Sequence, residues 1–185
     1  FGKMPTSIAL MLRAQGVTDL PSLRARIWKQ MADPHGRAVA LEEAISRAWR
    51  ISEKIAAMYL SALTNRDLSG ELAPWADGVD TDHFVVIDSN VDLFLKAIGY
   101  SGPMIYRGRR AFIQAIAASI HLDDFHPEVH RYNPRIVQQA LYMFMSESNR
   151  RANAADCCHD VPASCGRCPR ALASCCSLNA AAGAS

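Results

Sequence analysis

The chain has 185 residues, 50% of them hydrophobic and 21% charged, enough for one or two small domains with a core. Its net charge of +2 gives no overall basic field of the kind that announces a nucleic-acid binder. The longest early apolar run, Ile8 to Leu12, is too short for a membrane span or secretory core, so a soluble intracellular protein of the cytoplasm or nucleoid is expected. Phe1 stands where an initiator methionine would, which implies a missing or processed N-terminal piece.

After Pro5, residues 5–15 carry a short helical pattern that stops at Gly16. Pro21 suits the first turn of a second helix, with Leu23, Ile27 and Met31 at helical spacing, and Asp33-Pro34-His35-Gly36 then breaks the chain. Leu41, Ala44, Ile45, Ala48 and Trp49 form an i, i+3, i+4, i+7, i+8 stripe. Ile51, Ile55, Met58 and Ala62 carry another to about Leu63. No Gly or Pro separates the two, so one long helix and a tight hairpin at Arg50–Glu53 are both open. The Trp and Met residues of these stripes are expected in the core.

Thr64 to His83 is rich in Asp, Gly and Pro and carries Asp67, Glu71, Asp77, Asp80 and Asp82. A connection this long is unusual inside a compact domain. Its composition predicts a solvated surface loop, with a lid or partner site as the alternative. The apolar run Phe84 to Ile87 ends at Asp88, and Val91, Phe94, Leu95 and Ile98 define a helical face closed by Gly99. Beyond the Gly102-Pro103 turn, Phe112, Ile113, Ile116, Ala117 and Ile120 share a face. Asn133-Pro134 supplies a cap and first position for a last stripe of Ile136, Val137, Ala140, Leu141, Phe144 and Met145. Strand signals are almost absent, so an all-α protein is expected.

All six cysteines lie between Cys157 and Cys176. From Cys158 the spacing is C-x6-C-x2-C-x6-C, through Cys165 and Cys168 to Cys175. Four thiolates this close can converge on one centre, whereas disulfides there would only staple a short loop. Structural zinc favours paired knuckles, and only Cys165 and Cys168 form such a pair. The outer cysteines reach in from six residues away, as four-thiolate ligation of a [4Fe–4S] cluster requires, with zinc as the alternative. The doublets leave Cys157 and Cys176 as alternative ligands.

This run resembles the iron–sulfur loop of the endonuclease III and adenine-glycosylase branch of the helix-hairpin-helix DNA glycosylases, whose pattern is C-x6-C-x2-C-x5-C. The last gap here is one residue longer. The segment Val86-Ile87-Asp88-Ser89-Asn90-Val91 resembles that family's V-D-T-H-[VI], with Asp88 on the catalytic aspartate. An Asp at a helix start accepts backbone N–H bonds at the positive end of the dipole, and such a carboxylate can stabilise an oxocarbenium-like sugar. Its bland alternative is a plain N-cap. The family's hairpin, L-P-G-V-G-x-K, has its nearest counterpart in Trp49 to Lys54. Lys54 falls on the lysine that acts as Schiff-base nucleophile in bifunctional members, while Arg50 and Ser52 replace both glycines. An exposed helix lysine is the bland alternative for Lys54.

The resemblance implies a two-lobed helical architecture with the aspartate in the cleft between the lobes. Residues 1–145 would form the helical region, with a degraded hairpin near 41–63 and an acidic insertion at 64–83. Residues 146–178 would be the cluster loop, and 179–185 a disordered tail. The implied function is a DNA-repair glycosylase, with AP-lyase activity through Lys54 as an option, acting as a monomer on double-stranded DNA. Arg50, Ser52, Arg167 and Arg170 would meet phosphate. The rival is a catalytically inactive DNA- or protein-binding module that keeps the cluster as a staple. Arg107, Arg109, Arg110, Arg150 and Arg151 suit phosphate contacts or a solvated face. His121, His126 and His130 fit no standard ligand spacing and read as a polar interhelical loop.

Overall fold

Capping side chains set where the helices begin. The Asp19 carboxylate accepts the Ser22 N–H at 2.7 Å and Asp33 accepts that of Gly36 at 2.6 Å, each just ahead of a first-turn proline. In the computed structural model, which describes residues 2–146, 148 and 170–176, these helices are α2 (Leu20–Gln30) and α3 (Pro34–Ser46). They are preceded by α1 (Lys3–Ala14) and followed by α4 (Glu53–Thr64), the single turn α5 (Arg66–Ser69), α6 (Ser89–Ala97), α7 (Tyr106–Ala117), α8 (Pro134–Met145) and α9 (Arg170–Cys175). No strand occurs among the described residues, and the fold is all-α there. The expected break at Asp33–Gly36 is instead the start of α3, because Asp33 caps and Pro34 needs no N–H bond in a first turn.

The chain divides into two compact units. The first is Phe1–Val86 with Ile116–Arg135, and the second is Ile87–Ala115 with the described part of Ile136–Ser185. In the first, Leu23 and Ile27 of α2, Ala38, Leu41, Ala44 and Ile45 of α3, and Ala56, Ala57 and Leu60 of α4 form one buried cluster. Of the two structures the sequence allows at residue 50, the hairpin is the one adopted: α3 ends at Ser46 and α4 starts at Glu53.

That hairpin overturns part of the expected core. Trp49 lies beyond the end of α3, so helical spacing does not carry it inward, and it is 48% exposed. On α4 the buried face is Ala56, Ala57, Leu60, Ser61 and Thr64, whereas Met58 and Ala62 are exposed. Alanine and serine are weak hydrophobic signals, yet their small side chains let two helices approach closely.

The acidic insertion is also not the solvated loop that its composition predicts. Trp75, Val79 and Phe84 join the same buried cluster. The Trp75 N–H donates to the Leu63 carbonyl at 2.9 Å and that of Asp80 to Pro34 at 3.0 Å. His83 Nε2 sits 2.9 Å from Glu42 Oε2 on α3, with the two side chains 5% and 7% exposed. The His83 ring meets Phe84 and His35 edge-on, at 5.5 and 5.3 Å between centroids. A buried amide clasp closes this unit. Asn65 and Asn133 exchange hydrogen bonds of 3.0 and 3.1 Å, and Asn133 also donates to Asp67 at 2.6 Å.

In the second unit Val91 and Leu95 of α6, Ile113 of α7, and Val137 and Met145 of α8 are buried. The Tyr106 hydroxyl accepts the Ile87 N–H at 3.3 Å, and Arg109 pairs with Asp92. Gly99, with φ 69°, ends α6 in the left-handed region that favours glycine.

Breaking a buried hydrogen-bonded pair by removing one member takes away part of what compensates the other for its lost hydration. His83→Ala should therefore lower stability by about 3 kcal/mol. Urea unfolding followed by circular dichroism checks it, and a midpoint within error of the parent would show that Glu42 does not need His83.

Candidate functional site

Arg50, Ser52 and Lys54 are brought together by the hairpin of residues 47–52. The turn is closed by the Ile51 N–H donating to Ala48 at 3.0 Å, and Ile51 itself is buried, which anchors the tip to the core. Arg50 has φ 63° and is the one non-glycine residue at positive φ among the described residues. That backbone costs a residue with a Cβ about 1–2 kcal/mol, so the packing of α3 on α4 imposes it. It occupies the position at which the family resemblance has its first glycine.

Directly after this turn, α4 opens without a side-chain cap. Ser52 is the N-cap residue but makes no capping hydrogen bond, in contrast to Asp19, Asp33 and Asp88. The amides of the first turn of α4 are thus available to an outside acceptor, at the positive end of the helix dipole. Arg50, Ser52 and Lys54 are all exposed around them. An exposed Lys54 has the setting of a surface lysine rather than the apolar enclosure that usually activates an amine nucleophile.

Asp88 belongs to the second unit and caps α6. Its Oδ1 accepts the N–H groups of Asn90 and Val91, both at 2.9 Å, while Oδ2 takes no hydrogen bond among the described residues. The residue is half-buried. One oxygen therefore fixes the carboxylate and the other remains for a ligand or water.

Cys157, Cys158, Cys165, Arg167 and Cys168 lie outside the described residues, as do Arg150 and Arg151. Arg170, exposed, and Cys175 are the first and last residues of α9, and Cys176 follows as a half-buried free thiol. Of the other candidate arginines, Arg107 is exposed, Arg109 is held by Asp92, and Arg110 lies 5.7 Å over the Tyr106 ring. No family model, curated protein or solved structure matches this chain.

A polar pocket within the first unit escaped the sequence reading. It has a volume of about 250 Å³ and is lined by Asn65, Arg66, Asp82, His130, Tyr132 and Asn133 among others. His130 Nδ1 and its backbone N–H contact Asp67 at 2.8 and 3.2 Å, so the histidine expected in a polar loop instead ties that loop to α5. Burial, then the neighbouring Asp80 carboxylate, pushes Asp82 up to about 6. The alternating Asp80 and Asp82 were the available signal, but charge in a sequence reads as solvation until packing encloses it.

The fold favours protonated Asp82, whereas the unfolded chain returns it to about 3.8. Its contribution to stability is therefore present below about pH 4 and lost as pH rises through about 6. Asp82→Asn, neutral throughout, should melt above the parent at about pH 8, with the gap mostly closed at about pH 4. Thermal melts at the two values test this, and equal melting temperatures at high pH would remove the strain assigned to Asp82.

Proposed function

We propose that the chain binds duplex DNA through the hairpin of residues 47–52 and hydrolyses the N-glycosidic bond of a base extruded from the duplex. The observation that carries this reading is the left-handed turn at Arg50 leading into the uncapped start of α4. The Ile51 N–H of the turn is given to Ala48, so the donors offered to a phosphate oxygen would be the amides that open α4, with Arg50 and Ser52 as side-chain donors beside them. Asp88 is assigned the chemistry. With Oδ1 held by two amides, Oδ2 would face the sugar, stabilise its developing positive charge and position a water.

Lyase activity would need the Lys54 amine to attack the sugar C1′, displace the base, and form a Schiff base as the C1′–O4′ bond opens and the nitrogen loses its proton. A [4Fe–4S] cluster would be held by Cys158, Cys165, Cys168 and Cys175, with zinc the alternative. These four thiols are a suitable donor set for either. The cluster would supply a rigid staple that presents Arg167 and Arg170 to phosphate, rather than electron transfer. The side chains at Arg50 and Ser52 and the exposure of Lys54 favour the second reading, a binding module without turnover.

Duplexes carrying a panel of damaged bases, incubated with the protein and resolved with and without alkali, separate these readings. Strand breaks that need alkali report hydrolysis alone, breaks without alkali that Lys54→Ala abolishes report Lys54 as a lyase, and none on any substrate leaves the binding module. On an active substrate Asp88→Asn should lower excision about 10²- to 10³-fold while costing no more than ~1 kcal/mol of stability, because Asn caps a helix nearly as well. Equal turnover would remove Asp88 from the mechanism.

Protein purified without oxygen should be brown, with broad absorbance near ~400 nm and about four irons per chain, and Cys165→Ser should lose both. One zinc and no iron, in protein made with iron available, would overturn the cluster.

A further inference from the structure

The hairpin carries one aromatic side chain to which the duplex reading gives no contact of its own. Trp49 stands at its tip with 48% of its surface exposed, although an indole of this size is normally buried in a monomeric domain. The other tryptophans behave differently: Trp75 is 8% exposed, and Trp28 is half-buried between the guanidinium groups of Arg24 and Arg37. The Trp49 backbone is held in place, its N–H donating to the Ser7 hydroxyl of α1. The ring is thus presented by a fixed backbone.

Its surroundings are basic. The Arg50 guanidinium lies 4.5 Å over the ring and the Lys3 ammonium 6.0 Å from its centroid. Beside the ring runs an open groove of about 920 Å³ between α1 and the hairpin, lined by Lys3, Arg47, Gln15 and Trp49 with Leu10 and Met11. None of the described residues that line it carries a carboxylate. Cations around an exposed aromatic plane match one kind of partner, a strand with anionic phosphates and accessible base faces.

We propose that Trp49, with Lys3, Arg47 and Arg50, is a stacking platform for an unpaired base of single-stranded DNA. This rests on the reading of the hairpin as a DNA interface and names a second substrate class for it. An exposed cation–π contact is weaker than a base stacked on an aromatic ring. Arg50 would therefore leave the ring for a phosphate as a base takes its place. A duplex offers no such exchange, since its bases already stack on one another. The platform gives the protein a preference for DNA with an unpaired stretch beside the duplex.

Fluorescence anisotropy with a labelled oligothymidylate of about 12 nucleotides, and with a labelled duplex of equal length, tests this for the full chain and for Trp49→Ala and Trp49→Phe. Trp49→Ala should weaken oligothymidylate binding about 10- to 100-fold and duplex binding by several-fold less than that, and Trp49→Phe should recover most of the loss. Intrinsic fluorescence should also be quenched by oligothymidylate in the parent and not in Trp49→Phe. Circular dichroism melts keep folding separate from binding. Equal losses on both DNAs, or none on the single strand, would overturn the platform. A parent that binds duplex but not oligothymidylate overturns the platform alone. A parent that binds neither overturns the DNA reading of the hairpin along with it.

Discussion

Small side chains decide the geometry on which the first unit depends. Ala38 and Ala44 of α3, Ala48 of the hairpin, and Ala56 and Ala57 of α4 are all nearly or fully buried in the one cluster that these two helices share. Alanines allow close approach of two helices, and larger residues there would overpack a dense core. With Ala48 and Ile51 both buried on either side of the turn, the chain has only residues 47–52 in which to reverse direction. The reversal is tight enough to put Arg50 at positive φ despite its side chain. The cost is small beside the burial of Leu41, Leu60 and Ile45, each of which contributes about 1.5–3 kcal/mol. Packing wins, and the turn is strained as a consequence.

The segment from Thr64 to His83 braces that helix pair. It brings Trp75 and Val79 to the same core, where Phe84 just beyond it joins them, and returns a histidine to Glu42 on α3. Its polar residues are satisfied against one another, as buried polar groups must be. Asn65 and Asn133 bond reciprocally, and Asp67 collects Asn133 and His130. Asp82 is the residue on which this arrangement imposes a penalty, since enclosure and Asp80 both disfavour its charge.

The proposed chemistry and the fold share single residues. Asp88 caps α6 with one oxygen, so the interaction that starts a helix also orients a carboxylate. The hairpin that joins α3 to α4 also leaves the opening amides of α4 uncapped. In both places a structural requirement and the proposed recognition surface use the same backbone. A substitution there needs separate stability and binding measurements to be interpreted.

The all-α class, the capping roles of Asp88 and Asn133, the terminator Gly99 and the apolar faces of α6 and α7 were legible in the residues alone. They depend on interactions within a few positions of sequence, where propensity and periodicity act. By contrast, α8 buries Arg135 and Gln138 and leaves Ala140 of its expected stripe exposed. Which way α4 turns its face, whether residues 47–52 bend, where Trp49 points and how Asp82 is enclosed depended on tertiary packing. Each is set by contacts between segments far apart in the chain: Ser7 to Trp49, Glu42 to His83, Asp67 to His130. An alanine or an aspartate carries little local information about its partner. Only the three-dimensional arrangement turns the first into a close helix contact and the second into a half-buried acid.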